Sequence, residues 1–147
     1  MPSININARS TKISPDRTKI AMSHLYSPVI EVIETENLKK RTIIEEDLES
    51  KIKKEFRLDS YKNENLIEYY DFIDVSNDYI YVLFRNEKYS SKNRSCIIKK
   101  FTWNGVHVKD YLIGKDYDIS KFFVDEERQV IIAQSYSLDA VFKFNFN

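Results

Sequence analysis

One pattern recurs three times along this chain and limits what it can fold into. Residues 12–22 with 29–33, 72–84 with 97–103, and 121–133 with 140–144 each read as a strand, a short acidic turn, a nearly continuous apolar strand, a loop and an alternating strand. The turns are Ser14-Pro15-Asp16, Ser76-Asn77-Asp78 and Asp125-Glu126-Glu127, in which Pro fixes φ and short polar side chains close local hydrogen bonds. Tyr79 to Phe84 is apolar on both faces, which suits a strand covered above and below. Phe142, Phe144 and Phe146 alternate with Lys143 and Asn145, the period of a strand with one face in solvent. A covered strand followed by a half-exposed one, repeated, is the profile of antiparallel β-meanders stacked radially, so the expected class is all-β.

Fourth strands are expected in the first two units. Glu36-Asn37-Leu38 leads into Arg41 to Ile44, and Asn104-Gly105 leads into Val106 to Leu112. Asn-Gly is a strong hairpin signal because both residues accept positive φ. The third unit stops after its third strand. Between units one and two, Ile44, Leu48, Ile52 and Phe56 fall at i+4 steps, with Asp47–Lys51 and Glu49–Lys53 placed to pair across a helix turn. That interval reads as a short helix or structured loop covering the sheets.

These residues resemble the TolB-like six-bladed β-propeller family of Bacteroides-type bacteria. The stretches that carry the likeness are Ser14 to Ala21, Tyr79 to Phe84, and Phe101-Thr102-Trp103-Asn104-Gly105 leading through Asp118-Ile119-Ser120 to Phe123-Val124-Asp125-Glu126. The resemblance implies about three antiparallel meander blades of a β-propeller: blade one at 8–44, an insertion at 45–65, blade two at 66–113 and blade three at 117–147. It also implies a cell-envelope or periplasmic setting and brings no catalytic residues with it. The sequence departs from the family at Arg85-Asn86, where small residues and Gly are usual, and in holding half the blades. Half a ring leaves two apolar flanks, so the expected partner includes a second copy closing a six-bladed homodimer. In that arrangement Ile4-Asn5-Ile6 supplies the outer strand that the partner's third blade lacks.

Composition narrows the chemistry. Lys plus Arg equals Asp plus Glu at 23 each, so no basic surplus favours nucleic acid. Gly numbers 2, which leaves no phosphate-cradling loop. The single Cys96 sits in an apolar stretch and is expected to be a buried, inert thiol. Met1 to Asn5 lacks the apolar core of a signal peptide, and no segment approaches membrane-spanning length. His24 and His107 show no metal-ligand or triad spacing and read as surface or cap residues. No cofactor, metal or catalytic residue is expected.

Two functions are weighed. The first is a non-enzymatic binding scaffold for a protein or glycan. Its candidate rim is Tyr26, Arg85, Tyr89, Arg94 and Tyr136, residue types enriched at binding hot spots, on connections that share one end of the sheets. The second is a metal-dependent propeller hydrolase of the lactonase type, with ligands drawn from Asp74, Asn77, Asp78, Asp116, Asp118 and Asp125. Asx turns already account for Asp78 and Asp125, which favours the scaffold. Trp103 is expected to be a blade-packing residue.

Overall fold

The computed structural model describes residues 8–45, 66–91 and 94–146. Most of the expected insertion at 45–65, and Ile4-Asn5-Ile6, lie outside the described residues. The fold is all-β, with three antiparallel sheets. Sheet 1 is a meander of β1 (Arg9–Ile13), β2 (Lys19–His24), β3 (Ile30–Glu34) and β4 (Lys40–Ile43). Sheet 2 repeats it with β5 (Ile67–Val75), β6 (Tyr79–Lys88), β7 (Ile97–Thr102) and β8 (His107–Leu112). Sheet 3 has three strands, β9 (Lys121–Asp125), β10 (Val130–Ser135) and β11 (Ala140–Asn145). One 3-10 turn at Lys115–Tyr117 precedes β9.

The acidic turns work as the sequence suggests. Arg17 N donates to Ser14 O at 2.8 Å, and the Asp16 carboxylate accepts from Ser14 Oγ, Thr18 N and Thr18 Oγ1. That set of donors holds the Asp16 carboxyl down at about 2. Glycine is too scarce to supply the left-handed positions these hairpins need, so Arg17, Leu38, Gln129 and Asp139 take them, with φ between 46° and 61°. Each such residue costs about 1–2 kcal/mol relative to glycine, which the strand pairing offsets.

Asn104-Gly105 departs from expectation. Only Gly105 has positive φ, at 91°; Gly105 N donates to Thr102 O and Thr102 N to Val106 O. The connection is therefore a turn closed by a glycine bulge, and the ladder shifts register between Lys100 and Phe101. The physical reason is packing. A Cβ on Gly105 would lie 3.1 Å from Ile43 Cγ1 of sheet 1, so the backbone comes closer than a side chain allows.

Sheet 2 lies between the other two, and β6 shows why. Ile80, Val82 and Phe84 point one way, into a core shared with Ala21, Ile30, Val32 and Ile43 of sheet 1. Tyr81 and Leu83 point the other way, into a core shared with Phe122, Ile131 and Ala133 of sheet 3. The first strands adjoin, β1 and β2 packing on β5, and β5 on β9. The turns are fastened in series. Asp16 N donates to Asn77 Oδ1 at 3.0 Å, and Tyr81 donates its hydroxyl to Glu126.

Sheet 3 is finished on one face only. Phe142 and Phe144 close edge-on over Tyr117, at 4.9 and 5.0 Å between ring centres. On the opposite face Phe123, Ile132 and Val141 are 55%, 42% and 67% exposed. Strand β11 is an edge among the described residues. Phe146 N bonds Gln129 O, so alternation turns the backbone groups of Val141, Lys143 and Asn145 away from β10.

Candidate ligand-binding rim

The β2–β3, β6–β7 and β10–β11 connections and the entries to β5 and β9 meet at the end of the sheets opposite the acidic turns. Backbone bonds join them: Tyr69 N donates to Leu25 O at 2.6 Å, Leu25 N to Ala8 O at 3.0 Å, and Tyr89 N to Leu66 O at 2.9 Å. Tyr89 and Tyr136 project from this rim at 56% and 57% exposure. The Lys121 ammonium lies 5.5 Å from the Tyr136 ring centre, and Tyr136 N is held by Ser120 Oγ. Tyr26 is half-buried. Its hydroxyl is pushed above its ordinary pKa by burial, then by the charge of Glu68 and the nearby Tyr89 and Asp71.

Arg94 is the polar hub. It donates to the buried Glu68 carboxylate from Nη1 and lies 4.0 Å from Asp118 through Nη2. Asp118 holds left-handed backbone, φ 39°, and accepts from Ser137 Oγ at 2.6 Å. A continuous polar line therefore runs from β5 through the β6–β7 loop and the β8–β9 connection to the β10–β11 loop. Burial pushes the Glu68 carboxyl above its ordinary value despite the pull of Arg94. Tyr26 thus lies within electrostatic reach of Glu68, Tyr89 and Arg94. Tyr136 joins them through Ser137 and Asp118.

Arg85 does not belong to the exposed rim. It is 2% exposed, bonds Asp71 at 3.0 Å through Nη2, and donates through Nη1 to Ser95 O and Cys96 Sγ and through Nη2 to Ile119 O. Strand β6 continues to Lys88, beyond the apolar run, with register shifts in its pairing to β5 and Asn86 in left-handed backbone at φ 52°. Alternation along β6 places Arg85 on the same face as Tyr81 and Leu83, where it pins sheet 2 to the entry of sheet 3. Cys96 is buried as expected, but its sulfur also accepts from Ile119 N at 3.3 Å.

The sequence reading passed over Glu68, Asp71 and the network role of Asp118. The signal is present in Ile67-Glu68-Tyr69-Tyr70-Asp71-Phe72, where carboxylates interrupt a buried aromatic strand and require partners. The histidines also have carboxylate neighbours that their spacing did not suggest. His24 Nε2 lies 3.3 Å from Glu31, and His107 Nε2 lies 2.7 Å from Asp110.

Four of the residues weighed as metal ligands, Asp74, Asn77, Asp118 and Asp125, have protein partners on their side chains. Asp74 accepts from Val124 N at 2.9 Å and faces Lys12, Asn77 accepts from Asp16 N, and Asp125 accepts from Arg128 N. Among the described residues no group of three or more His, Cys, Asp or Glu is placed to hold a metal ion, and no helix is long and apolar enough to cross a membrane.

No family model matches the sequence, and no curated protein matches it. Among solved structures, the chain is similar to a functionally unknown protein from Desulfotomaculum acetoxidans DSM 771, with a TM-score of 0.61 and 10% sequence identity. The match covers 99% of this chain and 39% of that one, so the chain spans about two-fifths of its neighbour's length. At that identity the likeness concerns the fold alone.

Proposed function

We propose that the three sheets are blades of a TolB-like β-propeller and that the chain is a non-enzymatic binding scaffold for a protein or glycan. The observation that carries this reading is the rim itself. Exposed Tyr89 and Tyr136 share one rim with an Arg94 held in place by Glu68 and Asp118, on loops that two neighbouring sheets bring together. Rigid aromatics and a pre-positioned guanidinium lose little freedom on contact, which suits recognition. The propeller reading is supported by the face-to-face order of the sheets and by the adjacency of their first strands.

In the same reading two chains close one ring, the open face of sheet 1 covering Phe123, Ile132 and Val141 of the partner's sheet 3. A cell-envelope setting follows from the family resemblance. Glycan-array binding, or a partner retained by cross-linking, that is lost in a Tyr89→Ala/Tyr136→Ala variant of unchanged melting temperature is the expected result. Calcium-dependent ester or lactone hydrolysis, abolished by chelator and untouched by those substitutions, would overturn it in favour of the hydrolase.

A further inference from the structure

At the opposite end of the sheets, the β3–β4 hairpin of sheet 1 and the β7–β8 hairpin of sheet 2 enclose a cleft of about 120 Å³ lined by Lys19, Val32, Glu34, Lys39, Lys40, Arg41, Trp103 and Asn104. Setting Lys40 aside, three cations, Lys19, Lys39 and Arg41, stand against the one carboxylate of Glu34, a local excess in a chain whose formal net charge is zero.

The register explains the convergence. Lys19 pairs with Glu34 and Val32 with Arg41, and all four lie on the face of sheet 1 that turns towards sheet 2. The gap there is propped open by Trp103, whose indole is buried and donates from Nε1 to Ser76 O at 3.2 Å. Lys19 Nζ stands 5.5 Å from the Trp103 ring centre. Arg41 Nη1 is anchored on Asn104 Oδ1 at 2.5 Å, which fixes the guanidinium across the mouth.

The charges are not all spoken for within the fold. Lys40 is paired with Glu31 on the other face of the sheet. Glu34 accepts from Asn37 Nδ2 at 2.8 Å. Among the described residues Lys19 and Lys39 form no ion pair, although Lys19 acts at longer range on Asp16. A concave site lined by one sign of charge and backed by apolar walls concentrates field and draws counter-charge. A fixed guanidinium beside flexible ammonium groups matches tetrahedral oxyanions.

We infer that this cleft is an anion-binding site for a sulfate or phosphate group, held by Lys19, Lys39 and Arg41 against the wall of Trp103. It is separate from the tyrosine rim, so either site can fail without the other.

Trp103 is the only tryptophan of the chain and serves as the reporter. Inorganic sulfate and inorganic phosphate are titrated separately at low ionic strength, following Trp103 emission and the amide shifts of Lys39 and Asn104; the tighter of the two names the ester class. The expected result is a saturable response, with half-saturation raised at least fivefold in Arg41→Gln and in Lys39→Gln. The exposed Lys39 makes no ion pair among the described residues, so its variant keeps the fold should Arg41→Gln loosen the hairpin contact. A response matched by chloride at equal ionic strength, a flat titration, or an unchanged half-saturation in a normally melting Lys39→Gln protein overturns the inference.

Discussion

Sheets 2 and 3 carry almost the same central strand and meet different surroundings. Tyr79 to Phe84 in β6 and Val130 to Ala133 in β10 are both continuous apolar runs. In β6 every residue from Ile80 to Phe84 is buried, because sheets 1 and 3 cover its two faces. In β10 Ile131 and Ala133 are buried while Ile132 between them is 42% exposed. A run apolar on both faces is thus written for two neighbours, and sheet 3 has one among the described residues. The face of sheet 1 turned away from sheet 2 differs again. There Glu31 is surrounded by Arg9, His24 and Lys40, and Ile13 at the far end of β1 is 51% exposed.

The sharpest way to break this comparison is at the joint between the two sheets. Arg85→Ala leaves Asp71 and the Ile119 carbonyl without their buried donor, and a loss of about 3–5 kcal/mol is expected in urea unfolding. A cost near zero would mean that the joint is held by apolar packing alone.

Next comes the contrast between the faces. Leu83→Ala opens a fully enclosed site and is expected to cost about 3 kcal/mol, whereas Ile132→Ala should cost under about 1 kcal/mol in dilute monomer. Equal costs, or an Ile132 effect that grows with protein concentration, would place a second copy over sheet 3.

A smaller effect tests how sheets 1 and 2 are sealed. Gly105→Ala forces a side chain into left-handed backbone and against Ile43, for an expected loss of about 1–2 kcal/mol. Ile43→Val should not recover it, because valine keeps the γ carbon 3.1 Å from the added Cβ and leaves the left-handed strain untouched.

The smallest effect concerns the face of sheet 1 turned away from sheet 2. Burial holds the His24 imidazole below its ordinary value, with Arg9 and Lys40 adding to this and Glu31 opposing it. The unfolded chain therefore takes up a proton first. The contribution is present above about pH 6.5 and fades as pH falls through that value towards the lower folded one. His24→Gln should melt with a shallower pH dependence than the parent between pH 7.5 and 5.5.

Strand order was legible because turn chemistry and apolar runs are local signals. Ser14-Pro15-Asp16 and Asp125-Glu126-Glu127 each sit where the chain reverses. Arg85 was not legible as a core residue. A cation closing an apolar run reads as the exit of a strand, whereas β6 runs on to Lys88 and its alternation keeps Arg85 on the buried face of Tyr81 and Leu83. The rim was legible as a set of loops, but not as a network, since Glu68, Arg94 and Asp118 meet across long sequence separations. The basic cleft was hidden for the same reason, its walls coming from hairpins of two different sheets.

The alternation of β6 between two cores has a consequence for how the molecule comes apart. Its stability is close to a sum of nearest-neighbour terms, as in a stacked array, with both terms resting on one sheet. Sheet 1 or sheet 3 can open while the other core stays intact, but sheet 2 cannot open without dissolving both. Amides of β6 and β7 therefore exchange with solvent only in global unfolding, and those of β4 and β11 exchange first.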